Sequence, residues 1–256
     1  MLHTISRNEF INNAFSSSCL WTDLVRDSAN FVSHYYFDDA NVYYLSTNYG
    51  LGETITVFNS YSSTALEKAK KYFPHAICVS FAYSCDEYKQ NDAETSCNIT
   101  LHYRLLAPGE SNQAKLLIKK INSKDDLEKY DNLYNFFLRE NHGSRLVNYW
   151  TKNEHEFING EKSIYLAYVD QNLPIGFAIV DFYKILNACD VSQIFIEDLF
   201  QKKGYGTQFL QLMVDELSDS CFEIYYSSVN IDNIASRKTA EKVGFGIVGY
   251  RMNINS

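Results

Sequence analysis

The segment Ile194-Phe195-Ile196-Glu197-Asp198-Leu199-Phe200-Gln201-Lys202-Lys203-Gly204-Tyr205-Gly206-Thr207 runs an apolar strand into a glycine-containing turn that opens an amphipathic helix. Glycine has no Cβ, so consecutive backbone N–H groups at such a turn can converge on an anion, and the helix N-terminus adds the positive end of its dipole. The chemistry offered is phosphate binding. Gln201, Lys202, Lys203, Gly204, Tyr205, Gly206 and Thr207 are its candidate residues.

A second motif follows, Asn233-Ile234-Ala235-Ser236-Arg237-Lys238-Thr239-Ala240-Glu241-Lys242-Val243-Gly244-Phe245. Gln201-x-x-Gly204-x-Gly206 is similar to the Gln/Arg-x-x-Gly-x-Gly/Ala pyrophosphate motif of GNAT N-acetyltransferases. The later segment resembles their C-terminal motif: Asn, a small residue three positions on, then Glu-Lys-x-Gly-Phe. The Asn-x-x-Ser version looks most like the ribosomal-protein N-terminal acetyltransferase branch, and the resemblance covers roughly residues 114 to 253. It implies acetyl-CoA as co-substrate and a fold in which the third strand and the strand before the last helix splay apart. The backbone of Phe195 and Ile196 would hold the pantetheine arm there, with Asn233 and Ser236 beside the cofactor.

The same resemblance implies direct transfer, in which a neutral amine attacks the thioester, the carbonyl oxygen becomes negative and the CoA sulfur leaves. A base takes a proton from the ammonium, a backbone N–H stabilises the oxyanion, and an acid can protonate the thiolate. Asp190 lies six residues before Ile196, where histone-type members carry a catalytic glutamate. Glu197 and Asp198 are alternatives, and each of the three carboxylates is equally readable as facing solvent or capping a turn. Many members place a tyrosine four residues after the small residue of the second motif, but this chain has Ala240 there. Ser236 could act through a bound water or could only pack and bind the cofactor, or the thiolate could need no dedicated acid.

The elements that must position these residues follow from pattern. Strands are expected at Ser163 to Val169 and Pro174 to Ile185 as a hairpin across Asp170-Gln171-Asn172-Leu173, and at Val191 to Ile196. Helix Thr207 to Leu217 places Phe209, Leu210, Met213, Val214 and Leu217 on one face for packing on a sheet. A strand from Phe222 to Ser227, a helix from Ile234 to Val243 closed by Gly244 in the left-handed conformation, and a strand from Phe245 to Met252 complete the order. Before them come a strand, Lys115 to Ile121, and helical stretches within Lys124 to Glu140 and Ser144 to Phe157. The run Ala107-Pro108-Gly109-Glu110-Ser111-Asn112-Gln113 reads as a linker, giving an N-terminal domain over 1–110 and the transferase domain over 111–256. The fold class is mixed α/β (α+β), with a mostly antiparallel GNAT-type sheet flanked by helices.

The N-terminal half has no recognised motif. Two early helical stretches precede strands at Val42 to Ser46 and Thr54 to Phe58, joined across Tyr49-Gly50-Leu51-Gly52. A helix capped by Thr64 and running to Phe73 follows, then strands Ile77 to Tyr83 and Asn98 to Leu106. The order loosely echoes a GNAT half stripped of its glycine turn. Tyr35, Tyr36, Tyr43 and Tyr44 could line an acceptor pocket, although aromatic residues on strands are more often core.

Composition narrows the partners. Of the 256 residues 46% are hydrophobic and 21% charged, which supports globular cores. The net charge of −8 works against nucleic acid and anionic membranes and favours a cationic partner. No long apolar run or signal-type N-terminus is present, so the cytoplasm is the expected compartment. Six cysteines without a CxxC pair and six histidines without HExxH give no metal site. These features fit transfer of an acetyl group to a small, cationic amine. Acetylation of a protein N-terminus and a non-catalytic acyl-CoA-binding module are the alternatives.

Overall fold

A computed structural model of the chain describes residues 2–4, 6, 31–38, 41–48, 52–58, 62–84, 98–106, 116–141, 160, 162–170, 173–183, 188–218, 222 and 224–255. The expected early helices, the linker after Ala107 and the helical stretch from Ser144 to Phe157 lie outside these residues. The chain divides into two compact units. One comprises Met1–Tyr103, Val229–Asn233 and Ile247–Ser256; the other comprises Arg104–Ser228 and Ile234–Gly246.

In the first unit β1 (His3–Thr4), β2 (Phe31–Phe37), β3 (Val42–Asn48) and β4 (Gly52–Phe58) form an antiparallel run, and α1 (Ser63–Tyr72) crosses to β5 (Ala76–Ser84), which lies parallel to β4. Alternate residues Tyr43, Leu45, Ile55, Val57, Val79 and Phe81 turn to one face and pack with Ala65, Ala69 and Phe73. Ser62 caps α1, its Oγ accepting the Ala65 N–H at 3.0 Å, so Thr64 lies inside the first turn. Pro74 then prevents a further helical turn. Tyr43 and Tyr44 are buried, and Tyr36 packs on the same core. Tyr43 donates to the buried Asp38 carboxylate at 2.9 Å, and Asn41 N–H donates to the other oxygen at 2.8 Å. These tyrosines therefore serve the core, and Tyr43 also fixes the turn between β2 and β3. The side chain of Tyr35 is not among those described. Beyond β6 (Asn98–Leu105), the unit also takes in the chain's last strand, whose Gly249 to Asn255 pair antiparallel with β5.

In the second unit β7 (Leu117–Lys120), β8 (Lys162–Tyr168), β9 (Pro174–Tyr183) and β10 (Ala188–Ile196) pair antiparallel in order. A single 3-10 turn at Asp198–Phe200 and α3 (Tyr205–Ser218) then cross to β11 (Ile224–Asn230), which starts parallel to β10. The unit is completed by α2 (Lys124–Asn141) after β7 and by α4 (Ile234–Val243), from which the chain enters β12 (Phe245–Asn255). On one face of the sheet α2 sets Tyr130, Leu133 and Tyr134 against Ile164, Leu166, Phe177, Ile179 and Phe195. Phe209, Leu210, Met213, Val214 and Leu217 form the buried stripe of α3. Strands β2, β3, β4, helix α1 and β5 repeat the order and pairing of β8, β9, β10, α3 and β11. That repetition is the echo expected from the sequence order.

Gly176 in β9 lies in close approach to β10. A Cβ there would collide with the Phe195 carbonyl oxygen and press on the Ile196 side chain. The backbone oxygen cannot rotate away, so Gly176→Ala is expected to cost about 1–3 kcal/mol through overpacking. Chemical denaturation would show it as a lower midpoint at unchanged slope.

Candidate active site

Among the described residues, strands β10 and β11 pair through Ala188↔Ile224, Cys189↔Tyr225 and Asp190↔Tyr226. Ser227 Oγ donates to the Val191 carbonyl at 3.3 Å, and beyond it the two strands continue without a ladder between them. A wedge opens there, lined by strand backbone. The Glu197 N–H donates to the Ile175 carbonyl at 2.9 Å, and the alternation of an antiparallel ladder then turns the backbone groups of Phe195 toward β9 and those of Ile194 and Ile196 toward the wedge. The Phe195 ring belongs to the core under α2. Ile194, which the sequence analysis did not single out, has the orientation expected there of Phe195.

At the open end of the wedge the chain turns through Gln201 to Gly204. Lys202 has φ 59° and Gly204 φ 85°, so left-handed residues flank Lys203 in a concave turn. Nothing lies within 4 Å of a Cβ built on Gly204, so the concavity has room. The first intrahelical bond runs from Gln208 N–H to the Gly204 carbonyl at 3.1 Å, which leaves the N–H groups of Tyr205, Gly206 and Thr207 in the first turn of α3 without intrahelical acceptors. Those donors, the helix dipole and the exposed Lys202 and Lys203 suit a pyrophosphate. Lys203 Nζ lies 5.4 Å from the centre of the Phe200 ring. Gly206 faces α4, a Cβ there meeting Thr239 Oγ1 at 4.0 Å.

The Gln201 carboxamide is directed inward. Its Nε2 donates to the Ile196 carbonyl at 2.9 Å and to Asp198 Oδ1 at 2.6 Å, tying the strand end to the turn. Gln201 thus braces the cradle, and the Ile196 carbonyl already has a donor. Glu197 is half-buried and Asp198 exposed at this end. Asp190 stands seven residues from Glu197 along β10, roughly 20 Å away at strand rise, and is buried beside the apex of the wedge. Burial, and next the Asp190 carboxylate, push the Cys189 thiol up to about 12. That thiol stays protonated at neutral pH and packs as a small apolar group. Among the described residues no group of three or more His, Cys, Asp or Glu side chains is placed to hold a metal ion, and no helix is long and apolar enough to cross a membrane.

The pairing of β10 with β9 shifts register between Val191 and Gln193, a bulge at Ser192, whose Oγ donates to the Ile179 carbonyl at 3.3 Å. A bulge reverses the alternation of faces. Asp190, opposite Asp181, therefore shares a face with Phe195, opposite Phe177.

Helix α4 starts after the exposed Asn233, whose N–H donates to the Asn230 carbonyl at 2.9 Å. Ser236 is half-buried, and Ala240, one turn later on that side, is 2% exposed. A tyrosine at 240 would have to displace packed neighbours. Ala240→Tyr is expected to lower stability by about 1–3 kcal/mol without raising turnover. Ser236→Ala is expected to reduce turnover about tenfold or less, the value of one modest hydrogen bond. Melting temperatures and initial rates of CoA release check both.

A mixed sheet whose two parallel strands part beyond a short ladder, with a glycine turn opening a helix at the end, is the arrangement that the resemblance to GNAT N-acetyltransferases implied. Residues 127–245 match the model described as the acetyltransferase (GNAT) family, and this segment is a GNAT-family domain. No curated protein sequence matches the chain. Among solved structures it is similar to a GCN5-related N-acetyltransferase from Sphaerobacter thermophilus, with TM-score 0.65, 8% identity and coverage of 100% of this chain and 95% of that one. A tandem GNAT protein from the clavulanic acid biosynthesis pathway gives TM-score 0.56 at 10% identity, covering 100% and 98%. A conserved protein of unknown function from Staphylococcus epidermidis gives 0.58 at 13%, covering 92% and 96%. These likenesses, over nearly the whole chain, establish the fold.

Proposed function

We propose that this chain is an N-acetyltransferase that moves the acetyl group of acetyl-CoA to a primary amine of a small molecule, with the activity placed in residues 111–256. The observation that carries this reading is the wedge between β10 and β11 leading to the open glycine turn at Gly204. The pyrophosphate would lie on the N–H groups of Gly204 to Thr207, and the pantetheine arm along the wedge-facing backbone of Ile194 and Ile196. The thioester would then reach the apex, beside Asp190. Asp190 takes the proton from the ammonium, the amine nitrogen bonds to the carbonyl carbon, and a wedge-facing N–H of β10 receives the negative oxygen. The C–S bond then breaks, and the second proton that the nitrogen sheds as it becomes an amide passes through water to the departing thiolate, with Ser236 beside the cofactor to assist. Glu197 and Asp198 sit at the pyrophosphate end, which favours Asp190 as the base.

The net charge of −8 supports a cationic acceptor through electrostatic steering. The test is acetyl-CoA binding by calorimetry, followed by CoA release with a panel of small mono- and polyamines and of peptide N-termini. Release with the amines and not the peptides is expected. Release with peptides alone would assign N-terminal acetylation, and binding without release would leave an acyl-CoA-binding module.

A further inference from the structure

Four titratable residues stand in one row across the sheet at the apex of the wedge. Register places Lys162 of β8 opposite Asp181 of β9, Asp181 opposite Asp190 of β10, and Asp190 opposite Tyr226 of β11. Directly opposed residues project from the same face with Cβ atoms about 5 Å apart, so the two carboxylates are immediate neighbours. The face is the one that α2 covers, because Ile164 and Ile179, two residues on from Lys162 and back from Asp181, belong to the α2 core. Lys162 Nζ lies 3.2 Å from Asp181 Oδ1, and both side chains are mostly withdrawn from solvent.

We infer that Asp181, held by Lys162, is a positioning residue that sets the charge of Asp190 and with it the pH range over which Asp190 can accept a proton. Its catalytic consequence rests on the reading of Asp190 as the base; the electrostatic relation does not. The Asp181 carboxylate, beside Asp190 and like it mostly withdrawn from water, repels the charged form of Asp190. The Lys162 ammonium offsets part of that repulsion through Asp181. The remaining groups facing Asp190 are fixed by the same register. Tyr226 on β11 is a buried phenol pushed up chiefly by burial, with Arg104 acting in the opposite direction, so it stays neutral. From α2 the described polar groups on the buried side are the Tyr130 and Tyr134 phenols and, one turn before Tyr130, the buried Asp126, whose carboxylate is paired with Lys119 at 2.9 Å; the Cys189 thiol lies next to Asp190 on the strand.

The row makes two substitutions act with opposite sign. Asp181→Asn keeps the shape and removes the repelling charge, leaving Lys162 to attract Asp190, so the pH midpoint of Asp190 falls. Lys162→Met removes the offset, so the pH midpoint of Asp190 rises. Each shift should be about one pH unit. Lys162→Arg, which keeps the charge, should stay near wild type. The measurement is a 13C NMR titration of aspartate carboxyl signals in the ligand-free full chain, with Asp190 assigned by its loss in Asp190→Asn.

The acid limb of the kcat/KM profile for CoA release should move with the midpoints. Opposite shifts, with Lys162→Arg unchanged, support the role. Shifts of the same sign, or a midpoint unmoved in Asp181→Asn, overturn it, because a purely structural role would give no ordered pair of signs. Opposite shifts without CoA release from any amine would keep the electrostatic relation and refute the transferase reading. Release with unmoved midpoints would do the reverse.

Discussion

Gly204→Glu is expected to abolish the rise in melting temperature that acetyl-CoA gives the wild-type chain. A ligand that binds only the native state stabilises it by about 2.7 kcal/mol at a concentration about 100-fold above Kd, which for a chain of this size is a rise of roughly 5–10 °C. Gly204 is the point in the cradle with φ 85° and open space around its missing Cβ. A glutamate side chain would project from there with a negative charge where the pyrophosphate must lie. Gly204→Ala separates this effect from backbone strain. A non-glycine residue in the left-handed region costs about 1–3 kcal/mol, so Ala should lower the melting temperature with and without ligand and keep most of the rise. Thermal shift across acetyl-CoA concentrations reads both variants. An unchanged rise in Gly204→Glu would place the cofactor elsewhere.

Asp190→Asn is expected to lower turnover by about two to four orders of magnitude, the usual value of a general base, with acetyl-CoA affinity nearly unchanged. Asn is isosteric and keeps a carbonyl oxygen, but it cannot accept a proton from an ammonium. The deficit should be greatest at low pH, where most of the amine is protonated and a base is needed, and should narrow as the free amine accumulates. Rates of CoA release across pH, together with calorimetric affinity, check it. Wild-type rates at every pH would remove Asp190 from the mechanism and bring Glu197 forward, despite its position at the far end of β10.

Much of the second unit was legible because local rules govern it. The stripe Phe209, Leu210, Met213, Val214 and Leu217 marks α3, and it is the buried stripe observed. Helix α4 runs from Ile234 to Val243 as expected, and Gly244 closes it at φ 99°. The turn from Gln201 to Gly206 could be read because only glycine spacing ahead of a helix is needed to expose N–H donors. In the first unit the cap moved from Thr64 to Ser62, within the ambiguity of a run of hydroxyl residues at 62 to 64.

What the sequence by itself determined was which residue types stand at the glycine turn and which segments form helices and strands, since these depend on neighbours a few positions apart. Tertiary structure alone decided what faces what. Counting six residues back from Ile196 places Asp190 on the Ile196 face of an ideal strand, yet the bulge at Ser192 turns it onto the face of Phe195. The partners of Asp190, Asp181 and Tyr226, come from two different strands, and Lys162 from a third. Likewise the last strand joins β5 across most of the chain's length. Register and bulges are fixed by the packing of whole strands against one another, so a one-residue shift that leaves local composition unchanged exchanges the two faces of a sheet.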